Sequence, residues 1–179
     1  MRFLWSISLV LAGAAAQACP DPPDHSEALG ALLADVQAAE SEHQARLISN
    51  RMWAFWADAP DEAAQAVLDS GMRKRAAFDL LGAREDFDRL IAYCPEYAEG
   101  YNQRAFVNFI RQDYAAALED LDVALRLSSQ HVAAMTGKAL ALIGLGRVEE
   151  GQAVLKQAIG LNPWLPERHL LLPPQGEEL

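Results

Sequence analysis

Basic residues are scarce in this 179-residue chain. Fifteen lysines and arginines stand against 25 aspartates and glutamates, a formal charge of −10. That balance excludes a nucleic-acid binder, which needs a basic stripe to displace counterions from phosphates. Cysteine is scarcer still: Cys19 and Cys94 are too few for a disulfide-framed miniprotein or a four-cysteine zinc site. The single long apolar run, residues 3–16, is shorter than the roughly 20 residues a membrane span needs. There is no Gly-rich phosphate loop, no nucleophile elbow and no paired-histidine zinc helix. His25, His43, His131 and His169 are scattered. Glu40 and His43 have the spacing used in di-metal helical bundles, but such sites need a second copy, and there is none. No metal, no cofactor and no enzymatic activity is therefore expected. β-Branched residues are few and alanine is abundant, which favours helices over sheets. With 51% hydrophobic and 22% charged residues, what remains is an acidic, helical chain able to pack a core.

The apolar run follows a basic start, Met1-Arg2, and ends at Ala16-Gln17-Ala18, with small residues where signal peptidase reads. Residues 1–18 are expected to be a secretory signal cleaved after Ala18, leaving a chain without stable membrane insertion. A lipoprotein signal would also place Cys19 first. Ala16 and Gln17 fit its −3 and −2 positions poorly, so lipidation is the lesser alternative. Arg2 is the only charged residue removed, so the mature chain is more acidic still. Export places Cys19 and Cys94 in an oxidising compartment, where they are candidates for a disulfide; two unpaired thiols are the alternative.

A period of 34 residues runs through the chain. Laid in register, Tyr101 meets Met135, Ala105 meets Ala139, Phe109 meets Ile143, Leu121 meets Leu155, Ala124 meets Ala158 and Leu127 meets Leu161. One step earlier, Val67, Gly71, Ala83, Phe87 and Leu90 fall at the corresponding positions. Pro95, Ser129 and Pro163 close the three units. Small residues at positions 8 and 20 suit a close crossing of paired helices, and a proline at position 32 stops the second helix. Each hairpin hides only part of its apolar face, so neighbours must stack.

On these residues the chain resembles the tetratricopeptide repeat family, with units at 64–97, 98–131 and 132–165. The resemblance implies an all-α, right-handed solenoid of helix-turn-helix hairpins, built from 61–165. The first unit departs from the pattern at Ser70 and Lys74, where large apolar residues are usual. Residues 19–24 form a Pro-rich mature N-terminus. Residues 25–60 read as an N-terminal helical extension, expected to cover the open face of the first repeat, with Pro60 ending it and Asp61 capping the next helix. In this extension Trp53, Phe55 and Trp56 read mainly as core, with Trp53 the exposed member. Residues 166–179 are expected to be a C-terminal cap and tail.

The resemblance further implies a non-catalytic scaffold or adaptor that binds a protein or peptide partner in a concave groove, similar to small periplasmic repeat proteins. Positions 2, 5, 9 and 12 of each first helix face that groove. In this sequence they supply Glu99, Asn102, Phe106 and Phe109, then Ala133, Thr136, Leu140 and Ile143. Ala133 and Gly137 stand where the chaperone-type carboxylate clamp needs bases, so that clamp is not expected. Arg104 and Lys138 occupy position 7, normally leucine; they either reach out to acids such as Glu99 or Asp120 or form a cationic rung for a partner. A homodimer, or a self-associating component of an envelope assembly, is the alternative to a groove binder.

Overall fold

A computed structural model describes residues 18–173, and the expected signal segment lies almost wholly outside them. Among the described residues there are eight α-helices and no strand. They are α1 (Ser26–Gln37), α2 (Glu42–Trp56), α3 (Glu62–Ala76), α4 (Leu80–Tyr93), α5 (Ala98–Ile110), α6 (Tyr114–Leu127), α7 (Val132–Gly144) and α8 (Val148–Leu161). A short 3₁₀ turn, Pro166–Leu170, follows. No described helix is long and apolar enough to cross a membrane.

Local chemistry sets the helix ends. The side chains of Ser41, Asp61, Asp79 and Asp113 each accept a backbone N–H in the first turn of α2, α3, α4 and α6. Pro95 and Pro163 lie just past the ends of α4 and α8. Helices α3 to α8 pair as antiparallel hairpins, α3 with α4, α5 with α6 and α7 with α8, and each hairpin stacks on the next. Close crossing explains the small residues. A β-carbon on Gly71 would lie 2.5 Å from the Phe87 ring, and one on Gly151 would lie 2.8 Å from the Ala139 carbonyl oxygen. Phe87 and Leu90 fill the core of the first hairpin with Leu68 and Tyr97, and Ala105, Leu121 and Ala134 join the second to the third.

Ser70 and Lys74 leave α3 a regular helix of 15 residues. Lys74 Nζ lies 2.9 Å from the fully buried Asp86 carboxylate of α4. Burial acts to raise the Asp86 pKa, but hydrogen bonds from Ser70, Lys74 and Arg89 hold it below the usual carboxylate range. Arg104 and Lys138 also find acids. The Arg104 guanidinium grips Asp120 in two hydrogen bonds of 2.9 and 2.6 Å and reaches Asp88 at 2.7 Å. Lys138 pairs with Asp122 at 2.6 Å. Both cations therefore tie one repeat to the repeat before it, and neither is left as a free rung.

The N-terminal extension does not cover the first repeat as expected. The α1–α2 hairpin does not stack on α3 and α4 as successive hairpins do. Its apolar stripe, Leu32, Leu33, Val36, Ala45, Ile48 and Met52, packs instead with Val132 of α7 and with Leu161, Trp164 and Leu165. Gln37 Nε2 donates to the Leu161 carbonyl, Asn162 Nδ2 donates to Ser49 Oγ, and Arg168 approaches Glu42 at 3.6 Å. The curvature of the stacked hairpins brings the end of α8 opposite the N-terminal hairpin, so burying both apolar surfaces together closes the chain on itself. The C-terminal segment serves both sides: Trp164 and Leu165 turn toward α2, while Gln152 of α8 holds Leu170 and Leu172 by hydrogen bonds of 2.9 Å. Residues 174–179 of the expected tail lie outside the described residues.

Candidate binding groove

The first helices of the three hairpins, α3, α5 and α7, line the concave side, and α2 with residues 165–167 closes one end of it. Together they enclose a cavity of about 340 Å³. Phe106, Phe109, Leu140, Leu121, Trp53 and Leu165 give it apolar walls; Arg75, Asn102, Gln103, Thr136 and Glu167 are its polar groups. Phe106 is 47% exposed, whereas Asn102 and Thr136 are buried. A second cavity of about 350 Å³ lies between α2 and the end of α8 and shares Trp53, Ala133, Leu165 and Pro166 with the first.

Five of the groove residues read from the sequence, Asn102, Phe106, Phe109, Thr136 and Leu140, come together on this wall, with Ala133 beside them. Two do not. Ile143 is placed against Gly151 in the α7–α8 crossing, because position 12 of the last repeat turns toward its own partner helix. Glu99 does not line this cavity; it is 1% exposed and is spent on protein partners. Asn102 Nδ2 donates to one of its oxygens at 3.0 Å, His131 Nε2 lies 2.9 Å from the same oxygen, and Gln103 Nε2 donates to the other. The opposite nitrogen of His131 accepts the Ala134 N–H, so Nε2 carries the proton that goes to Glu99. His131 thus caps α7 and satisfies a buried carboxylate.

Trp56 stacks on His131, ring centres 4.3 Å apart, and the Tyr97 hydroxyl donates to the Trp56 carbonyl at 2.8 Å. Burial, followed by the nearby charges of Glu99, Asp58 and Asp69, pushes the Tyr97 pKa far up, so the hydroxyl stays a donor. Trp53, expected to be the exposed member of its cluster, is half-buried and forms part of both cavity walls. Arg75 was missed. It sits at position 12 of the first repeat, and the positional rule that selects Phe109 reaches it when applied to residues 64–97 as well.

Cys19 and Cys94 form a disulfide, with Cα atoms 5.2 Å apart, that ties the chain ahead of α1 to the end of α4. Among the described residues no group of three or more His, Cys, Asp or Glu side chains is placed to hold a metal ion.

Residues 109–171 match the family model of the tetratricopeptide repeat. A tetratricopeptide repeat protein 36 homolog of Nematostella vectensis is 42% identical over 64 residues, which cover 36% of this chain and 35% of the relative. A TPR repeat-containing protein of Rhizobium etli is 27% identical over 124 residues, 66% of this chain and 58% of the relative. The chain thus matches between about a third and just over half of the length of these curated relatives. Among solved structures, the first TPR domain of Spaghetti (RPAP3), bound to the HSP90 peptide SRMEEVD, superposes with a TM-score of 0.57 at 19% identity. It covers 58% of this chain and 82% of that one. The chain folds as a solenoid of the tetratricopeptide kind, and its residues 109–171 are similar to the tetratricopeptide repeat.

Proposed function

We propose that this protein is a non-catalytic scaffold or adaptor, exported to the periplasm, that binds a protein or peptide segment in its concave groove. The observation that carries the reading is the cavity between α5, α7 and α2, apolar on most of its wall and partly open to solvent at Phe106. An apolar hollow with a few fixed polar groups is the usual form of a binding site. The similar RPAP3 domain is bound to an HSP90 peptide, which supports a peptide as the kind of occupant. Export rests on the reading of residues 1–18, and the Cys19–Cys94 bridge is in keeping with an oxidising compartment.

The test is affinity capture from periplasmic and envelope fractions, run beside a Phe106→Ala/Leu140→Ala variant with an unchanged melting curve. A partner held by the native protein and lost by the variant is the expected result. A partner retained by both moves the binding surface off the groove, and no partner in either counts against the reading.

Self-association is the second reading, favoured by one patch. Phe78 and Leu81, at the turn between α3 and α4, are 79% and 64% exposed. Light scattering across micromolar concentrations separates the two, since a strict monomer removes a stable homodimer.

A further inference from the structure

Arg75 is the one cation on the wall of the groove cavity. It stands in the last turn of α3 with its guanidinium carbon 4.6 Å from the centre of the Phe106 ring. Nη1 donates to Gln103 Oε1. Among the described residues no carboxylate lies within ion-pair distance of it, whereas Arg84, Arg89, Arg104, Arg147 and Arg168 each meet one. Burial pulls its pKa down, and the charge of Glu99 opposes that. Gln103 bridges the two groups, and the oxygens of Glu99 are already held by Asn102, Gln103 and His131. Most of the five N–H donors of the guanidinium are left without a protein acceptor. The half-buried guanidinium thus keeps donors that face solvent or an occupant of the cavity and are not spent on the protein. Nor is the cation a feature of the repeat, since the same position carries Phe109 and Ile143 in the next two units.

Resting on the groove reading, we propose that the occupant is a peptide segment that places a large apolar side chain in the cavity and an adjacent Asp or Glu side chain on Arg75. A carboxylate is the acceptor that matches a guanidinium fork, and the Phe106 ring 4.6 Å away packs beside it. The cavity of about 340 Å³, at about 30 Å³ for each water-sized group, has room for an aromatic or long aliphatic side chain together with the carboxyl group beside it. Glu167, from the C-terminal segment, is the one acid on the same wall, and its charge opposes the acidic ligand. The chain as a whole is acidic, so distant charge favours basic flanking residues while Arg75 selects the acid at close range.

The probes are acetyl-Gly-Leu-Phe-Glu-Gly-amide and its Gln counterpart, both blocked so that neither carries a terminal carboxylate. Binding is followed by NMR through the Trp53 indole and Arg75 Nε–H signals of the whole protein. The Glu peptide is expected to bind about tenfold more tightly than the Gln peptide, as a charge-assisted hydrogen bond implies. The preference is expected to vanish in Arg75→Gln, to survive in part in Arg75→Lys and to widen in Glu167→Gln. If Arg75→Gln does not fold, the lysine and Glu167 variants carry the comparison. Equal binding of both peptides, or a preference that Arg75→Gln leaves intact, overturns the role of Arg75 and leaves the groove reading standing. No shift of Trp53 with either peptide at millimolar concentration counts against both.

Discussion

Phe78, Gln112 and Gly146 occupy one position of the repeat, the turn between paired helices, with φ of 61°, 61° and 77°. The N–H of the residue after each reaches back 2.9 Å to a carbonyl of the preceding helix: Asp79 to Lys74, Asp113 to Asn108 and Arg147 to Leu142. This is the left-handed closure that glycine adopts without steric cost and that strains a residue with a β-carbon by roughly 1–2 kcal/mol. Gly146 suits it, and Phe78 does not. The Phe78 ring is 79% exposed and recovers little packing energy. Phe78→Gly is therefore expected to raise stability by about 0.5–1 kcal/mol, the relief of strain exceeding glycine's extra chain entropy. Thermal melting of the variant measures it directly. A lower midpoint would mean that the ring packs against something, and a loss of dimer in the same variant would identify a second copy as that partner.

At the scale of the element, the notable device is the tie between consecutive hairpins. Position 7 of α5 and α7 carries Arg104 and Lys138, and these reach Asp88 of α4 and Asp122 of α6, acids that are themselves 34 residues apart. The two ties differ in what they leave behind. Arg104 also neutralises Asp120, which is 5% exposed and otherwise has only Asn108 as a donor. Asp122 is nearly half exposed. Arg104→Ala is expected to cost about 2–3 kcal/mol, because it strands a buried carboxylate. Lys138→Ala is expected to cost less than about 1 kcal/mol. Denaturant midpoints at constant m-value compare the two, and equal losses would refute the distinction. Much of this level was legible in the sequence, because a strict period fixes which residues face which neighbour. The small residues at Gly71, Ala105, Ala139 and Gly151 and the stops at Pro95 and Pro163 all told the same story. Single departures were less legible. Ser70 and Lys74 read as defects until Asp86 was seen opposite them. Arg75 falls at position 12 of the first unit, where the groove rule reaches it, but its neighbours there depart from the apolar pattern that draws attention to Phe109.

The closure of the whole molecule left no trace in the period. It joins α1 and α2 to the end of α8 through contacts more than a hundred residues apart, such as Ser49 with Asn162 and Gln37 with Leu161. It depends on how far the stacked hairpins curve, which no local pattern encodes. The visible hints were the unspent aromatics, Trp53, Trp56 and Trp164, whose natural partners were not in their own segments. The polar contacts across the closure are mostly exposed, and such contacts contribute little each. The hairpin therefore relies on its apolar cluster and on being tethered at both ends, by the short connection to α3 and by the Cys19–Cys94 bridge. That bridge closes a loop of 75 residues, worth roughly 4 kcal/mol in the chain-entropy model. Reduction, or a Cys19→Ser/Cys94→Ser variant, is expected to lower the thermal midpoint on the order of 10 °C. The loss should be uneven. Helices α1 and α2 hold the closing contacts and lose one tether, so their amide exchange should rise, while α5 to α8, which the bridge does not span, keep most of their protection. Hydrogen exchange of the oxidised and reduced forms settles the point. A uniform rise in exchange would mean that closure and repeats unfold as one unit. Unchanged exchange in α1 and α2 would mean that the apolar cluster alone holds the molecule shut.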